Sequence, residues 1–378
     1  MPYITVPQTP GTHQVTFEDI LFDRPARFNP SQHCCKGGTV TVFTESEETI
    51  AKHMRAFNVQ QLIRTLQVFN AAFADLFSKD RRSLYRTFSI PKRTGGFRKI
   101  NEPVPELMGA LRSLKTILEE RFCALHHTSA FAYVKERCTI DAVKRHQRNN
   151  SRWFLKTDFS DFFGSTSEDF LWHMICKIFP FSEVVKLPEG AAALKTALSL
   201  CFLDGGLPQG TPISPMLTNL IMIPIDHALC NDLLKRGFIY TRYADDIQIS
   251  SKVDFDYHEV CRQIESVLAR FDAPYHIKPA KTRYGSSAGR NWNLGVMLNK
   301  DNQITIGRKN KDYLKAACNN YINDRRHNVR WELHDVLVLC GKISYYKMVE
   351  PEYIAGFMKW FNQKHNVNLM KMLRDELR

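Results

Sequence analysis

The architecture of this chain depends most on one segment, Phe238-Ile239-Tyr240-Thr241-Arg242-Tyr243-Ala244-Asp245-Asp246-Ile247-Gln248-Ile249-Ser250. The apolar runs on either side predict two strands around an Ala-Asp-Asp turn. Adjacent carboxylates at a hairpin tip repel each other, so the pair is costly unless cations neutralise it. Mg²⁺ is a hard ion that takes oxygen ligands and leaves positions open for phosphate oxygens. An isolated Asp-Asp turn also has a plainer explanation, because Asp favours turns for local hydrogen bonding.

A third acidic residue, Asp158, follows a short apolar strand that begins at Trp153-Phe154-Leu155. Two-metal phosphoryl transfer needs carboxylates that hold one ion at the attacking 3′-hydroxyl and another at the leaving pyrophosphate. Asp158 lies far from Asp245 in the chain. The sequence therefore predicts that the fold brings these acids together.

Composition narrows the function classes. Lys and Arg number 52 against 39 Asp and Glu, which gives a net charge of +13 and favours a polyanionic partner such as nucleic acid. A soluble protein that merely has a basic surface would show the same charge balance. The N-terminus, Met1-Pro2-Tyr3-Ile4, does not resemble a signal peptide, and no apolar run is long enough to span a bilayer. A cytoplasmic protein without membrane contact is expected. The cysteines form no C-x-x-C pair, so His33-Cys34-Cys35 is only a weak metal candidate.

Apolar spacing and turn residues predict the order of elements along the chain. Residues 1–50 have little period and predict an irregular or partly stranded extension. Helices are predicted over 59–76, 107–125, 168–179, 191–203 and 257–271, and from Asp312 onward in a basic tail. A further helix is predicted from Leu217, with Gly237 ending it. Strands are predicted in a hairpin over 89–100, and over 153–155, 238–250, 294–297 and 303–306.

Four segments, in order, resemble the motifs of reverse transcriptases. They are Asp158-Phe159-Ser160-Asp161-Phe162-Phe163, the run from Leu207-Pro208-Gln209-Gly210 to Leu220, Tyr243-Ala244-Asp245-Asp246, and Lys281-Thr282. The resemblance implies an α+β right-hand polymerase with fingers, a palm of antiparallel sheet and helices, and an α-helical thumb. It implies an N-terminal extension over 1–80, fingers and palm over 81–307, and a thumb over 308–378.

The same resemblance implies the catalytic roles. Asp158, Asp245 and Asp246 would hold two Mg²⁺ ions, with Mn²⁺ as an alternative, and Phe159 would belong to the metal site. Lys281 would act as general acid on the leaving pyrophosphate. Phe163 would be a steric gate against the ribose 2′-hydroxyl. The remaining nucleotide-binding residues would be Lys92, Arg98, Asp161, Phe162, Gln209 and Gly210. A solvated basic hairpin also explains Lys92 and Arg98, and a core position also explains Phe163.

Basic residues outside these motifs suit phosphate contacts. Ala132-Tyr133-Val134-Lys135-Glu136-Arg137, together with Lys144 and Arg145, resembles a template-side segment, and an exposed charged helix is an equally good explanation. Asn293-Leu294-Gly295-Val296 resembles a primer grip. Arg308 and Lys309 begin a basic tail that would lie as a thumb on the duplex backbone.

Within the family, the chain resembles bacterial retron and defence-associated enzymes. It departs from the retron pattern at Ala142 and Val143, with His146 retained, and at Asn293-Leu294-Gly295. The resemblance implies that the enzyme takes a cognate non-coding RNA as template, uses dNTPs and releases a DNA product in antiphage defence. It leaves open a homo-oligomer or an effector protein as partner. Two alternatives stay open: a template-independent DNA polymerase of abortive-infection type, and a non-catalytic RNA-binding scaffold, which predicts a broken acidic triad.

Overall fold

A computed structural model describes residues 3–8, 11–16, 58–92, 95–121, 126–287 and 291–377. An antiparallel hairpin of β1 (Tyr3–Gln8) and β2 (Gly11–Thr16) belongs to the N-terminal segment, where the sequence predicts partial strand structure. The weak metal candidate His33-Cys34-Cys35 lies outside the described residues. In the part of the chain that the structure describes, no helix is both long enough and apolar enough to cross a bilayer.

Helix α1 (Val59–Ala72) and the short α2 (Ala74–Ser78) replace the single helix predicted over 59–76. The break falls at Phe73, whose φ of −115° and ψ of 24° leave the helical region. The apolar stripe of α1 is buried, as its spacing predicts. A 3₁₀ turn at Arg81–Leu84 then leads into an antiparallel hairpin of β3 (Tyr85–Pro91) and β4 (Phe97–Pro103), which confirms the predicted hairpin, and α3 (Pro105–Arg121) follows.

The central sheet is antiparallel, in the order β6-β7-β5-β8. Its strands are β5 (Trp153–Asp158), β6 (Ile239–Tyr243), β7 (Asp246–Ser251) and β8 (Arg283–Ser286). Leu155 pairs with Ile249, and Ile249 pairs with Tyr240, so these buried residues share one face. The opposite face carries Asp158 and its cross-strand partner Asp246.

A further group of helices follows, and all except the first contribute buried side chains to the main core. They are α4 (Thr139–Arg148), α5 (Glu168–Ile175), α6 (Phe181–Val184), α7 (Pro188–Ser199), α8 (Ser214–Ile221), α9 (Ile223–Leu234) and α10 (Tyr257–Arg270). The helix predicted from Leu217 to a stop at Gly237 is interrupted at Met222, and its second part ends at Leu234. Pro224 explains the break, because proline has no N–H for an internal helical bond and fits the first turn of a new helix.

A second core joins the C-terminal helices to the central sheet. A three-stranded sheet in the order β11-β10-β9 is formed by β9 (Asn291–Asn293), β10 (Val296–Leu298) and β11 (Ile304–Thr305). Helices α11 (Arg308–Arg326), α12 (Leu333–Val349), α13 (Pro351–His365) and α14 (Leu369–Glu376) follow, which confirms the helical tail. Their buried side chains pack with Ile140 and Val143 of α4 and with Phe154 of β5. The domain boundaries at 80 and 307 stay predictions.

Candidate active site

Three acidic residues converge at one end of the central sheet. Asp158 ends β5, and Asp246 begins β7 as its in-register partner, so the two side chains leave the same face as neighbours. Asp245 lies in the adjoining turn, where its carbonyl accepts a hydrogen bond from the Phe159 N–H at 3.0 Å. The convergence that the sequence predicts for Asp158 and the Asp-Asp turn is therefore present.

The charges at this end of the sheet are only partly compensated. Burial raises the pKa of Asp245, and the negative charge of Asp246 raises it further, while Arg98 and Lys278 act in the opposite direction. Burial also raises the pKa of Asp246. Lys281 forms an ion pair with Asp158, and about half of the Lys281 side chain is exposed. The fold thus holds carboxylates together at a cost that a cation would relieve.

The donor chemistry fits divalent cations. Carboxylate oxygens are the ligands that hard cations prefer, and the raised pKa values of Asp245 and Asp246 mark charge that a cation would stabilise. In residues 58–92, 95–121, 126–287 and 291–377, however, no three His, Cys, Asp or Glu side chains are grouped as a metal-binding set. Lys281 contacts Asp158 instead. The Phe159 side chain has no oxygen, nitrogen or sulfur atom, and its ring is buried against Phe162 and Tyr275. Phe159 can therefore bind a metal only through its main-chain carbonyl oxygen.

The segment after Asp158 places two aromatic residues differently. Phe162 is buried in the main core, whereas Phe163 is only partly buried beside it. The Phe163 carbonyl accepts the Leu207 N–H at 3.0 Å, which joins this segment to the Leu-Pro-Gln-Gly loop. Asp161 is exposed and has a φ of 42°, and a Cβ at Gly164 would collide with its carboxylate. A side chain at position 164 would therefore displace the exposed Asp161 carboxylate.

The Leu-Pro-Gln-Gly loop is attached to the hairpin of β3 and β4. The Gln209 carbonyl accepts the Asn101 N–H of β4 at 2.8 Å. Gly210 has a φ of 118°, and a Cβ there would lie 2.8 Å from the Asn101 carbonyl oxygen. The close approach is thus to β4. Arg98, on the same strand, is close enough to lower the pKa of Asp245, and Lys92 is exposed at the hairpin turn, where its N–H donates to the Gly96 carbonyl.

The predicted nucleic-acid contacts fall into two groups. Arg137 donates to the carbonyls of Thr128 and Ala130 at 3.1 and 2.8 Å, and Arg145 donates to the Thr128 carbonyl at 3.2 Å, so both brace a loop of the protein itself. The others are exposed on the surface: Lys135, Lys144, Arg308 and Lys309. Arg308 lies 3.7 Å from Asp312.

His146 and Arg242 support the site. The sequence places His146 by resemblance in the template-side segment and at a retained retron position, and it assigns no role to Arg242. The His146 ring is fully buried, with Nδ1 at 2.6 Å from Ser250 Oγ and Nε2 at 2.8 Å from Thr241 Oγ1, so it ties α4 to β6 and β7. Arg242 is fully buried beside the acidic turn. The signal in the sequence is its position two residues after Tyr240, which places both side chains on the same face of β6.

Comparison with known proteins places the site in a family. The family model described as "Reverse transcriptase (RNA-dependent DNA polymerase)" matches residues 90–314, which is more than half of the chain. The chain belongs to the reverse transcriptase family. This reverse transcriptase is an RNA-directed DNA polymerase, and its α+β architecture is the fingers, palm and thumb arrangement of that family. An RNA template is its substrate class, and the family uses divalent metal ions.

Several curated relatives are retron enzymes, which agrees with the predicted group. The Retron Ec83 reverse transcriptase of Escherichia coli is 26% identical over 314 residues, covering 79% of this chain and 94% of the relative. The Retron Ec73 reverse transcriptase of the same species is 24% identical, covering 74% and 90%. The Retron Mx162 reverse transcriptase of Myxococcus xanthus is 32% identical, covering 45% and 36%. Among solved structures, telomerase from Candida albicans matches with a TM-score of 0.43 and 12% identity, covering 78% of this chain and 60% of that one.

Proposed function

We propose that this reverse transcriptase copies a cognate non-coding RNA into DNA by two-metal nucleotidyl transfer. Asp158, Asp245 and Asp246 would hold two Mg²⁺ ions, for which Mn²⁺ can substitute. The observation that carries the proposal is the in-register pairing of Asp158 with Asp246, with Asp245 bonded through its carbonyl to Phe159. When bound, the ions supply Lewis-acid activation of the 3′-hydroxyl and charge stabilisation on the pyrophosphate.

The residues of the chain itself supply orientation and proton transfer. Arg98 on β4 would hold the triphosphate with its planar guanidinium, and Lys92 would add a point charge from the hairpin turn. Lys281 is half-exposed and long, and it already contacts Asp158. Its ammonium group would donate a proton to the leaving pyrophosphate.

The nucleotide would be selected by the segment after Asp158 and by the Leu-Pro-Gln-Gly loop, which the Phe163 carbonyl joins. The half-buried Phe163 ring would meet the sugar, and Phe162 packs behind it. Asp161 would lie beside the nucleotide site, and Gln209 and Gly210 would flank the nascent pair from the loop fixed to β4. The RNA and product backbones would be contacted by the exposed side chains of Lys135, Lys144, Arg308 and Lys309. Arg137 and Arg145 would support residues 128–137, which we call the template-side loop.

Primer extension on an RNA template tests the chemistry. The double variant Asp245→Asn with Asp246→Asn should lose DNA synthesis by about 10³-fold or more, because the site loses both charges of the turn. Asp301→Asn, in an exposed loop, is the matched control and should keep wild-type rates. Undiminished synthesis by the double variant would refute the site. DNA made by the wild type without any template would favour the template-independent alternative.

The biological part of the proposal is tested separately. RNA and DNA that copurify with the protein should contain one recurrent non-coding RNA and DNA complementary to it. In cells that express the wild type with that RNA, phage plating should fall, and the double variant should restore it. Copurified RNA that is random in sequence would contradict a cognate template. Equal plating with wild type and variant would contradict a defence role that depends on DNA synthesis.

A further inference from the structure

A buried ion pair lies directly beneath the catalytic turn. Arg242 and Asp226 are both completely buried, and the guanidinium contacts the carboxylate through Nη2 at 2.7 Å and Nε at 2.9 Å. Asp226 belongs to α9 and Arg242 to β6. Replacing such pairs with apolar residues of similar volume is often neutral or stabilising, so fold stability alone is a weak reason for this one.

The rest of the guanidinium reaches the catalytic turn. Arg242 Nη1 donates to the Ala244 carbonyl at 3.2 Å and to Asn219 Oδ1 at 3.1 Å. Ala244 precedes Asp245 and has a φ of 58°, a left-handed conformation that is unfavourable for any residue with a Cβ. One buried side chain therefore holds the strained peptide unit from which Asp245 projects.

The same residues hold the template-side loop. Asn219 Nδ2 donates to the Ala132 carbonyl at 2.8 Å, and the Arg242 main chain exchanges hydrogen bonds with Ser129 and Phe131 at 2.7 and 2.9 Å. Tyr133, which follows Ala132, is 61% exposed and has a φ of 60°. Partial desolvation, followed by the negative charge of Asp245, raises the pKa of the Tyr133 phenol, so that ring lies near the acidic turn.

We infer that Arg242 is a positioning residue for catalysis, acting with Asp226 and Asn219. The three side chains set Asp245 relative to Asp158 through the Ala244 carbonyl, and they tie the turn to the loop that carries Tyr133. The Arg242 guanidinium also lies 6.0 Å from the centre of the Phe162 ring, which belongs to the segment after Asp158. Arg242 thus contacts the segments of both acidic elements. The inference rests on the proposed function for its kinetic part only.

Arg242→Lys is the first test, with Tyr240→Phe as the matched control. Lysine keeps the charge beside Asp226 but lacks the planar fork that reaches the Ala244 carbonyl at the same time. Tyr240 donates to Asp226 at 2.7 Å and has no part in holding the turn, so its variant perturbs the same buried carboxylate alone. We expect kcat of Arg242→Lys to fall about 10²-fold, with KM for the nucleotide within about twofold, and kcat of Tyr240→Phe to stay at the wild-type value.

The double variant Arg242→Met with Asp226→Leu separates positioning from folding. It removes both charges together, so the melting temperature should stay close to that of the wild type while kcat falls as in Arg242→Lys. A folded double variant with wild-type kcat would overturn the inference. So would a loss in Tyr240→Phe equal to that in Arg242→Lys.

Amide hydrogen exchange gives a readout that does not depend on polymerase activity. In metal-free, substrate-free protein, the Phe159 amide donates to the Asp245 carbonyl, so it reports the position of the turn. We expect its exchange to accelerate at least tenfold in Arg242→Lys and to stay unchanged in Tyr240→Phe. Unchanged exchange in Arg242→Lys would refute positioning. If the wild type made no DNA but the exchange difference held, the proposed function would fail while the structural inference stood.

Discussion

Phe163 is the residue on which sugar selection should depend. Its ring is half-buried against Phe162, and its carbonyl is fixed by the Leu207 N–H at 3.0 Å, so the backbone beneath the ring is held. Removing the ring in Phe163→Ala should raise kcat/KM for ribonucleotides about tenfold or more relative to deoxynucleotides, because a steric barrier to the 2′-hydroxyl is lost. Single-nucleotide incorporation with matched dNTP and rNTP measures this ratio.

Phe163→Leu is the control for this prediction, because it keeps bulk at the position while removing the aromatic edge. Its ratio should fall between those of the wild type and the alanine variant. Discrimination in Phe163→Ala equal to that of the wild type would assign the ring to the core alone.

His146 should make the fold sensitive to acid. Burial, followed by the charges of Arg145 and Lys156, lowers its pKa to about 3, against an ordinary value of 6.5. A group with a depressed folded pKa contributes stability above its unfolded pKa, and that contribution is lost as the pH falls toward the folded value. Between pH 6.5 and 4.5 the free energy of unfolding should fall by about 1.4 kcal/mol per pH unit through this residue.

His146→Gln should flatten that dependence, because glutamine can bond to Ser250 or Thr241 but does not titrate. Denaturant unfolding at each pH gives both curves. His126, whose pKa burial also lowers to about 3, is unchanged in the variant and contributes to the slope that remains. Parallel curves for wild type and variant would show that His146 is not the titrating group.

At the scale of elements, a hydrogen bond and a close backbone approach fix the Leu-Pro-Gln-Gly loop to β4. Gly210→Ala should lower kcat/KM for nucleotides and the melting temperature, because its Cβ would lie 2.8 Å from the Asn101 carbonyl oxygen. Gly205→Ala is the matched control: its φ of 84° imposes similar backbone strain, but nothing lies within 4 Å of its Cβ. The difference between the variants in melting curves and primer extension isolates the contact, and equal losses would contradict it.

The strands and acids of the site were predictable from sequence because their signals are local. Apolar runs mark β6 and β7, Asp158 and Asp246 lie at strand ends, and Asp245 lies in the turn between β6 and β7. Helix breaks at Phe73 and Met222 were missed, because apolar spacing continues across both positions. The Arg242–Asp226 pair was also missed. The position of Arg242 within an apolar strand indicates that it is buried. No short-range sequence pattern indicates that its partner is Asp226, on another element.

At the scale of the whole molecule, the shared second core could not be read from sequence. Ile140, Val143 and Phe154 pack with helices that begin more than 150 residues later in the chain, and spacing along a helix indicates which face is buried without indicating against what. Because α4 and β5 contribute to this core, the C-terminal helices support the sheet that holds Asp158. The C-terminal helices and the central sheet are therefore coupled by packing.

The net charge of +13 makes a prediction about RNA binding by the whole chain. Each phosphate neutralised by a Lys or Arg releases counterions, so the logarithm of the binding constant should fall linearly with the logarithm of salt concentration, by about 0.7 per contact on single-stranded RNA. Lys144→Ala should reduce the slope by about that amount, because Lys144 is exposed beside the template-side loop. Lys186→Ala is the control and should leave the slope unchanged, because Lys186 already pairs with Glu183 at 2.7 Å. Fluorescence anisotropy across a salt series measures all three slopes. A flat wild-type response would exclude a grip on the RNA backbone, and equal slopes for the two variants would exclude Lys144 from it.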